Sequence, residues 1–161
     1  LLLAVILFLK RTNEATVIRS FSDEIDPTQQ TDIRLHGNDL EKLHIPPYTE
    51  VYEIDGPYFF GIANKFDEIM ASMDNHPKIR IIRMRRVPFI DSTGIHNLQN
   101  LCNMNRREGT QIVLSGVTPN VYAVLEHAGF CEMLGKENIC PNINVALERA
   151  AALAKTLEFA K

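Results

Sequence analysis

At 161 residues the chain is long enough for one domain with an ordinary buried core. Apolar residues make up 45% and charged residues 23%, a mixture that excludes a disordered chain, and the net charge of −3 argues against non-specific nucleic-acid binding. Cys102, Cys131 and Cys140 lack CxxC spacing, and the five histidines are scattered, so neither a disulfide framework nor a metal site is indicated.

Leu1–Leu9 is an unbroken apolar run, followed at once by Lys10-Arg11. A spanning helix needs about 20 apolar residues, and a signal peptide carries its positive charge before the apolar stretch rather than after it. The pattern reads as the cytoplasmic end of a transmembrane helix, with Lys10 and Arg11 as inside anchors. The chain then stays polar to about Gln30; residues 10–20 read as a helical continuation and 21–33 as linker. A short strand is expected near Ile33–Leu35. The expected division is residues 1–11 as membrane-helix end, 12–47 as linker and lead-in, and 48–157 as the folded domain.

Val51–Asp55 alternates apolar and polar residues and predicts a strand. From Gly61 the period changes. Ile62, Phe66, Ile69, Met70 and Met73 form one stripe of an amphipathic helix, which His76-Pro77 stops. Phe59 and Phe60 are expected to enter the core ahead of that helix. Ile79–Met84 predicts the next strand, and a helix should run from Ser92 to about Arg107 with Ile95, Leu98, Leu101 and Cys102 inward. Gly109 suits a C-cap. Gln111–Ser115 has the apolar character of a buried parallel strand. Thr118-Pro119 has the form of an N-cap with proline at the first helical position, before a helix whose inner face is Val121, Val124, Leu125 and Ala128. Asn142 or Asn144 caps a last helix carrying Ile143, Leu147, Ala150 and Ala154. Strands alternating with helices predict an α/β fold with a mainly parallel sheet of about four to five strands.

Between the strand at Ile79 and the helix at Ser92 stands Asp91-Ser92-Thr93-Gly94. Two hydroxyls and a carboxylate at a helix mouth can cap its free N–H groups, and a hydroxyl there can also accept a phosphoryl group that the helix dipole favours. Arg85 and Arg86 precede it in the same connection and could draw an anion or an acidic partner. No GxSxG surrounds Ser92, and GxGxxG and P-loop patterns are absent. Asp91 is a poor base for its own neighbour, since adjacent side chains rarely meet in the geometry a base needs.

Asp91-Ser92-Thr93-Gly94, after a strand and before a helix, resembles the signature of STAS domains. That fold is shared by bacterial anti-sigma-factor antagonists and the cytoplasmic tails of SulP anion transporters. Arg83–Ile90 is similar to the SulP version, and Asp55-Gly-Pro-Tyr-Phe-Phe-Gly61 is similar to the segment with which SulP tails enter their first helix. Together the two motifs cover roughly residues 48–150. The resemblance implies a STAS fold and a cytoplasmic regulatory or interaction domain of a SulP secondary anion transporter, with sulfate as the default substrate. It implies attachment to the membrane domain of the same polypeptide, at the cytoplasmic face of the bacterial inner membrane, and homodimers in the full transporter. A cytosolic regulatory protein or a weakly held nucleotide would be the further partners. No cofactor, metal, nucleic acid or turnover is expected. The alternative is a soluble phospho-switch of the anti-sigma-antagonist kind, with Ser92 as the phosphorylated residue; it leaves Leu1–Leu9 and the Gly56–Phe60 segment unexplained.

Overall fold

The structure, a computed structural model, describes residues 3, 4, 6, 7, 17–21, 44–58 and 77–158. Among these residues, strands β1 (Val17–Phe21), β2 (Thr49–Asp55), β3 (Ile79–Arg86), β4 (Gln111–Ser115) and β5 (Ile139–Cys140) form one sheet in that order. β2 to β5 are parallel to their neighbours, whereas β1 pairs β2 antiparallel. Among the described residues the helices between strands are α1 (Ser92–Arg107), α2 (Pro119–His127) and α3 (Phe130–Leu134), and α4 (Ile143–Glu158) follows β5.

Strand alternation sends successive side chains to opposite faces, and both faces are covered. On one, Tyr52, Ile54, Ile82, Met84, Ile112 and Leu114 meet Leu98 and Leu101 of α1, Val121 and Leu125 of α2, and Phe130 of α3. On the other, Val51, Ile79, Ile81, Val113 and Cys140 pack against Ala146, Leu147, Ala150 and Ala154 of α4. The small alanine stripe lets α4 lie close to the sheet. β3, central and enclosed from both sides, is buried continuously from Ile79 to Met84. Each fully buried large aliphatic side chain in these layers contributes about 1.5–3 kcal/mol.

Several expectations need correcting. Residues 17–21 are a strand, not a helical continuation: the β-branched pair Val17-Ile18 suits an edge strand, and the exposed edge of β2 supplies its hydrogen bonds. α2 begins and ends where Thr118-Pro119 and Gly129 predict, but of its expected inner face only Val121 and Leu125 are buried, and Val124 and Ala128 are exposed. The chain also turns at Gly129 and Gly135, both at positive φ, to make α3 and the short β5, neither of which the apolar pattern indicates. The expected strand near Ile33, the helix from Gly61 and the packing of Phe59 and Phe60 lie outside the described residues. Leu3, Ala4, Ile6 and Leu7 are helical and exposed. Among the described residues no helix is long and apolar enough to cross a membrane.

Candidate functional site

The connection from β3 to α1 is held from three sides. The Val87 amide donates to the Met84 carbonyl (2.9 Å) and closes a tight turn as the strand ends. Val87 and Ile90 are buried, so Pro88 and Phe89 between them are pushed outward. The Tyr58 amide donates to the Phe89 carbonyl (3.1 Å), and Tyr58 makes a parallel bridge with Ile90, tying the loop to the chain that leaves β2. Thr118, ahead of α2, donates its hydroxyl to the Val87 carbonyl at 3.5 Å.

Asp91 is the N-cap of α1. Its backbone is extended, its Oδ1 accepts the Gly94 amide at 2.7 Å, and its carbonyl accepts the Ile95 amide at 2.9 Å. The carboxylate thereby satisfies one of the amides that a helix start leaves without an acceptor. Ser92 is the first helical residue and is exposed, and Thr93 is half-buried. Gly94 is buried where a side chain cannot fit, because a Cβ would overlap the Tyr58 carbonyl oxygen and stand 2.9 Å from Ile90 Cγ1. The four residues thus divide the work: Asp91 caps, Gly94 admits the neighbouring backbone, and Ser92 presents a hydroxyl outward at a helix mouth.

The cationic row of β3 has a different setting from the one its sequence position suggests. In the parallel register Glu50, Glu53 and Asp55 of β2 stand beside Arg80, Arg83 and Arg86 of β3. Glu53, 2% exposed, has Arg83 at 3.1 Å, Arg85 at 3.3 Å and Arg86 at 3.4 Å, and Arg86 also reaches Asp55 at 2.9 Å. A carboxylate buried this deeply is tolerable only with such compensation. Arg80 is likewise buried, over the Tyr52 ring and bonded to Asn105. Among the described residues no hydrogen bond or ion pair joins Arg85 or Arg86 to Asp91, Ser92 or Thr93, so the structure brings the two arginines onto β2 carboxylates instead. Sequence reasoning missed Glu53 and Asp55. Their signal was the matching spacing of acids on one strand and arginines on the next, which becomes legible only once the two strands are known to be neighbours in register.

His96, one turn into α1, shares a hydrogen bond with Asn100 (3.2 Å), and no base is bonded to Ser92 among the described residues. Nor do the described residues hold a group of His, Cys, Asp and Glu suited to a metal. The three cysteines are buried, and burial pushes the Cys102 thiol up to about 12, far from a reactive thiolate.

A strand–turn–helix with this capped Asp-Ser-Thr-Gly mouth, on a parallel sheet with helices on both faces, coincides with a match to the STAS domain model over residues 42–146. The chain belongs to the STAS domain family. The crystal structure of a sulfate transporter family protein from Wolinella succinogenes is 40% identical, with a TM-score of 0.68 over 71% of this chain and 94% of that one. A SulP transporter STAS domain from Vibrio cholerae is 32% identical, with a TM-score of 0.60 over 71% and 88%. In Bacillus subtilis (strain 168), "Putative sulfate transporter YvdB" is 27% identical over 86% of this chain and 24% of its own length. This STAS domain therefore matches those of SulP transporters, and it spans about a quarter of that curated relative. An anti-sigma factor antagonist from Mycobacterium paratuberculosis is 14% identical and shares the fold alone, so the transporter reading is the better supported of the two.

Proposed function

We propose that this STAS domain is the cytoplasmic regulatory and interaction unit of a SulP secondary anion transporter, with sulfate as the transported anion. In this reading residues 1–11 are the cytoplasmic end of the last membrane helix, residues 12–47 lead in, and 48–157 form the domain at the inner face of the bacterial membrane. The exposure of Leu3, Ile6 and Leu7 supports a lipid-facing origin for the N-terminal turn. The domain has no turnover of its own; it acts on the membrane part of the same polypeptide, in a homodimer.

The observation that carries a regulatory role is the split between Asp91 and Ser92. Because Asp91 caps α1, the Ser92 hydroxyl makes no hydrogen bond among the described residues, and it stands exposed at a helix N-terminus that follows the outward Pro88 and Phe89 in the same connection. A kinase or a cytosolic partner can read Ser92 and its loop without unfolding anything, and added negative charge there meets the positive end of the helix dipole. Expression of the encoding gene in a bacterium unable to take up sulfate tests the reading. Sulfate uptake should be restored by the full gene and lost or deregulated when residues 48–157 are deleted. Restoration indifferent to the deletion would refute the regulatory role.

A further inference from the structure

α4 packs on β3, β4 and β5 across one face of the sheet. Alternation along β3 places Arg83 and Arg85 in the row begun by Ile79 and Ile81, the row α4 packs on. α4 begins at Ile143, and its first turn lies beside the last residues of β3 and β4. A cavity of about 450 Å³ lies there, lined by Arg83, Arg85, Ser115, Gly116, Asn142 and Asn144. Ligands of open α/β sheets characteristically bind outside the carboxyl ends of the strands.

Its chemistry is consistent. Ser115 is 1% exposed, lines the cavity, and has no side-chain hydrogen bond among the described residues. Arg83 is 5% exposed, a buried cation in the wall. Arg85 engages Glu53 through Nε at 3.3 Å, and its two terminal nitrogens have no partner among the described residues. Arg83, Arg85 and Arg86 all stand within 3.4 Å of Glu53. From the opposite side comes the N-terminus of the 16-residue α4. Asn142 caps it by accepting the Val145 amide at 3.1 Å, which leaves the first-turn amides of Ile143 and Asn144 without an intrahelical acceptor.

The geometry points to an oxyanion site: a tetrahedral dianion, free sulfate or phosphate or the head of a phosphate monoester, held between Arg85, the Ser115 hydroxyl, Arg83 and the α4 amides. It lies across the sheet from the Ser92-bearing helix and stands whether or not the Ser92 loop regulates anything. A mainly apolar hollow lined by Val117, Tyr122 and Ile139 adjoins it at Pro141, where the organic part of a monoester would rest. Backbone amide NMR of the 161-residue chain, titrated with sodium phosphate, sodium sulfate, phenyl phosphate and, as control, sodium chloride at matched ionic strength, tests this. Saturable shifts at Ile143, Asn144 and Val145 with the oxyanions and not with chloride are expected, weakened at least tenfold by Arg85→Gln and by Ser115→Ala, with melting checked in both. Tighter binding of phenyl phosphate than of phosphate assigns the monoester; equal binding assigns the free ion. Absence of shifts at those amides, an equal response to chloride, or full retention in both variants would overturn the site.

Discussion

The Asp91 carboxylate accepts the Gly94 amide at 2.7 Å, and that bond closes α1 around a glycine lying against the Tyr58 carbonyl. Cap and close contact are two halves of one joint, since the carboxylate fixes the first turn of α1 at the point where the chain leaving β2 passes. The Ser92 hydroxyl lies just outside the joint.

Loss of the cap should therefore register at Asp91 and not at its neighbour. Asp91→Ala is expected to cost about 1 kcal/mol. Ser92→Ala should stay within about 0.5 kcal/mol, as an exposed substitution away from the packing. Urea melts of the two variants check this, and equal losses would mean that Ser92 shares the capping.

Gly94→Ala should be worse than either. The added methyl meets the Tyr58 backbone carbonyl, which cannot rotate aside, as well as the Ile90 side chain, and overpacking of this kind costs about 1–3 kcal/mol. The measurement is the denaturation midpoint; a variant as stable as the parent would show that α1 can slide away from Tyr58.

Glu53 is the keystone of the β2–β3 charges. Glu53→Ala leaves Arg83, Arg85 and Arg86 facing one another without it, at an expected cost of about 3–5 kcal/mol, because one of those cations is buried. Arg86→Ala, removing a side chain 40% exposed, should cost about 1 kcal/mol or less. A reversed order in thermal melts would show that the arginines, not the carboxylate, hold the cluster.

Much of this was legible from sequence, and the failures share a cause. β4 and α1 are found where the apolar pattern, a breaker and a cap coincide, as at Asp91-Ser92 and Gln111–Ser115. β1 was misread because Val17–Phe21 carries no breaker at its start and its stability comes from a partner strand some 30 residues on. The pairing of Glu53 with Arg83, and the shared cavity of Ser115 and Asn142, depend on register and crossover geometry that local patterns do not contain. Arg85 and Arg86 were tied to the Ser92 loop by sequence proximity, but strand neighbours determine their contacts.

The buried thiols give an alkaline signature. Burial raises Cys102 to about 12 from an ordinary value near 9, and it raises Cys131 and Cys140 as well. Raised folded values mean that the fold favours the protonated thiol. That stability is fully present below about pH 9 and is lost as the pH climbs towards 12. Melts between pH 8 and 11 should fall more steeply for the parent than for Cys102→Ala, and native protein at pH 8 should resist alkylation at Cys102. Rapid native labelling would contradict the burial.

The central claim is that Ser92 stands outside the fold for a partner to read, on a domain that governs transport. Labelled-sulfate uptake by the full-length transporter carrying Ser92→Asp, beside Ser92→Ala and the parent, tests it most directly. The account predicts that Ser92→Asp alters uptake at least twofold with protein level and domain melting unchanged, while Ser92→Ala stays near the parent. Identical uptake in all three would contradict it and leave the Asp91-Ser92-Thr93-Gly94 loop as a helix cap alone.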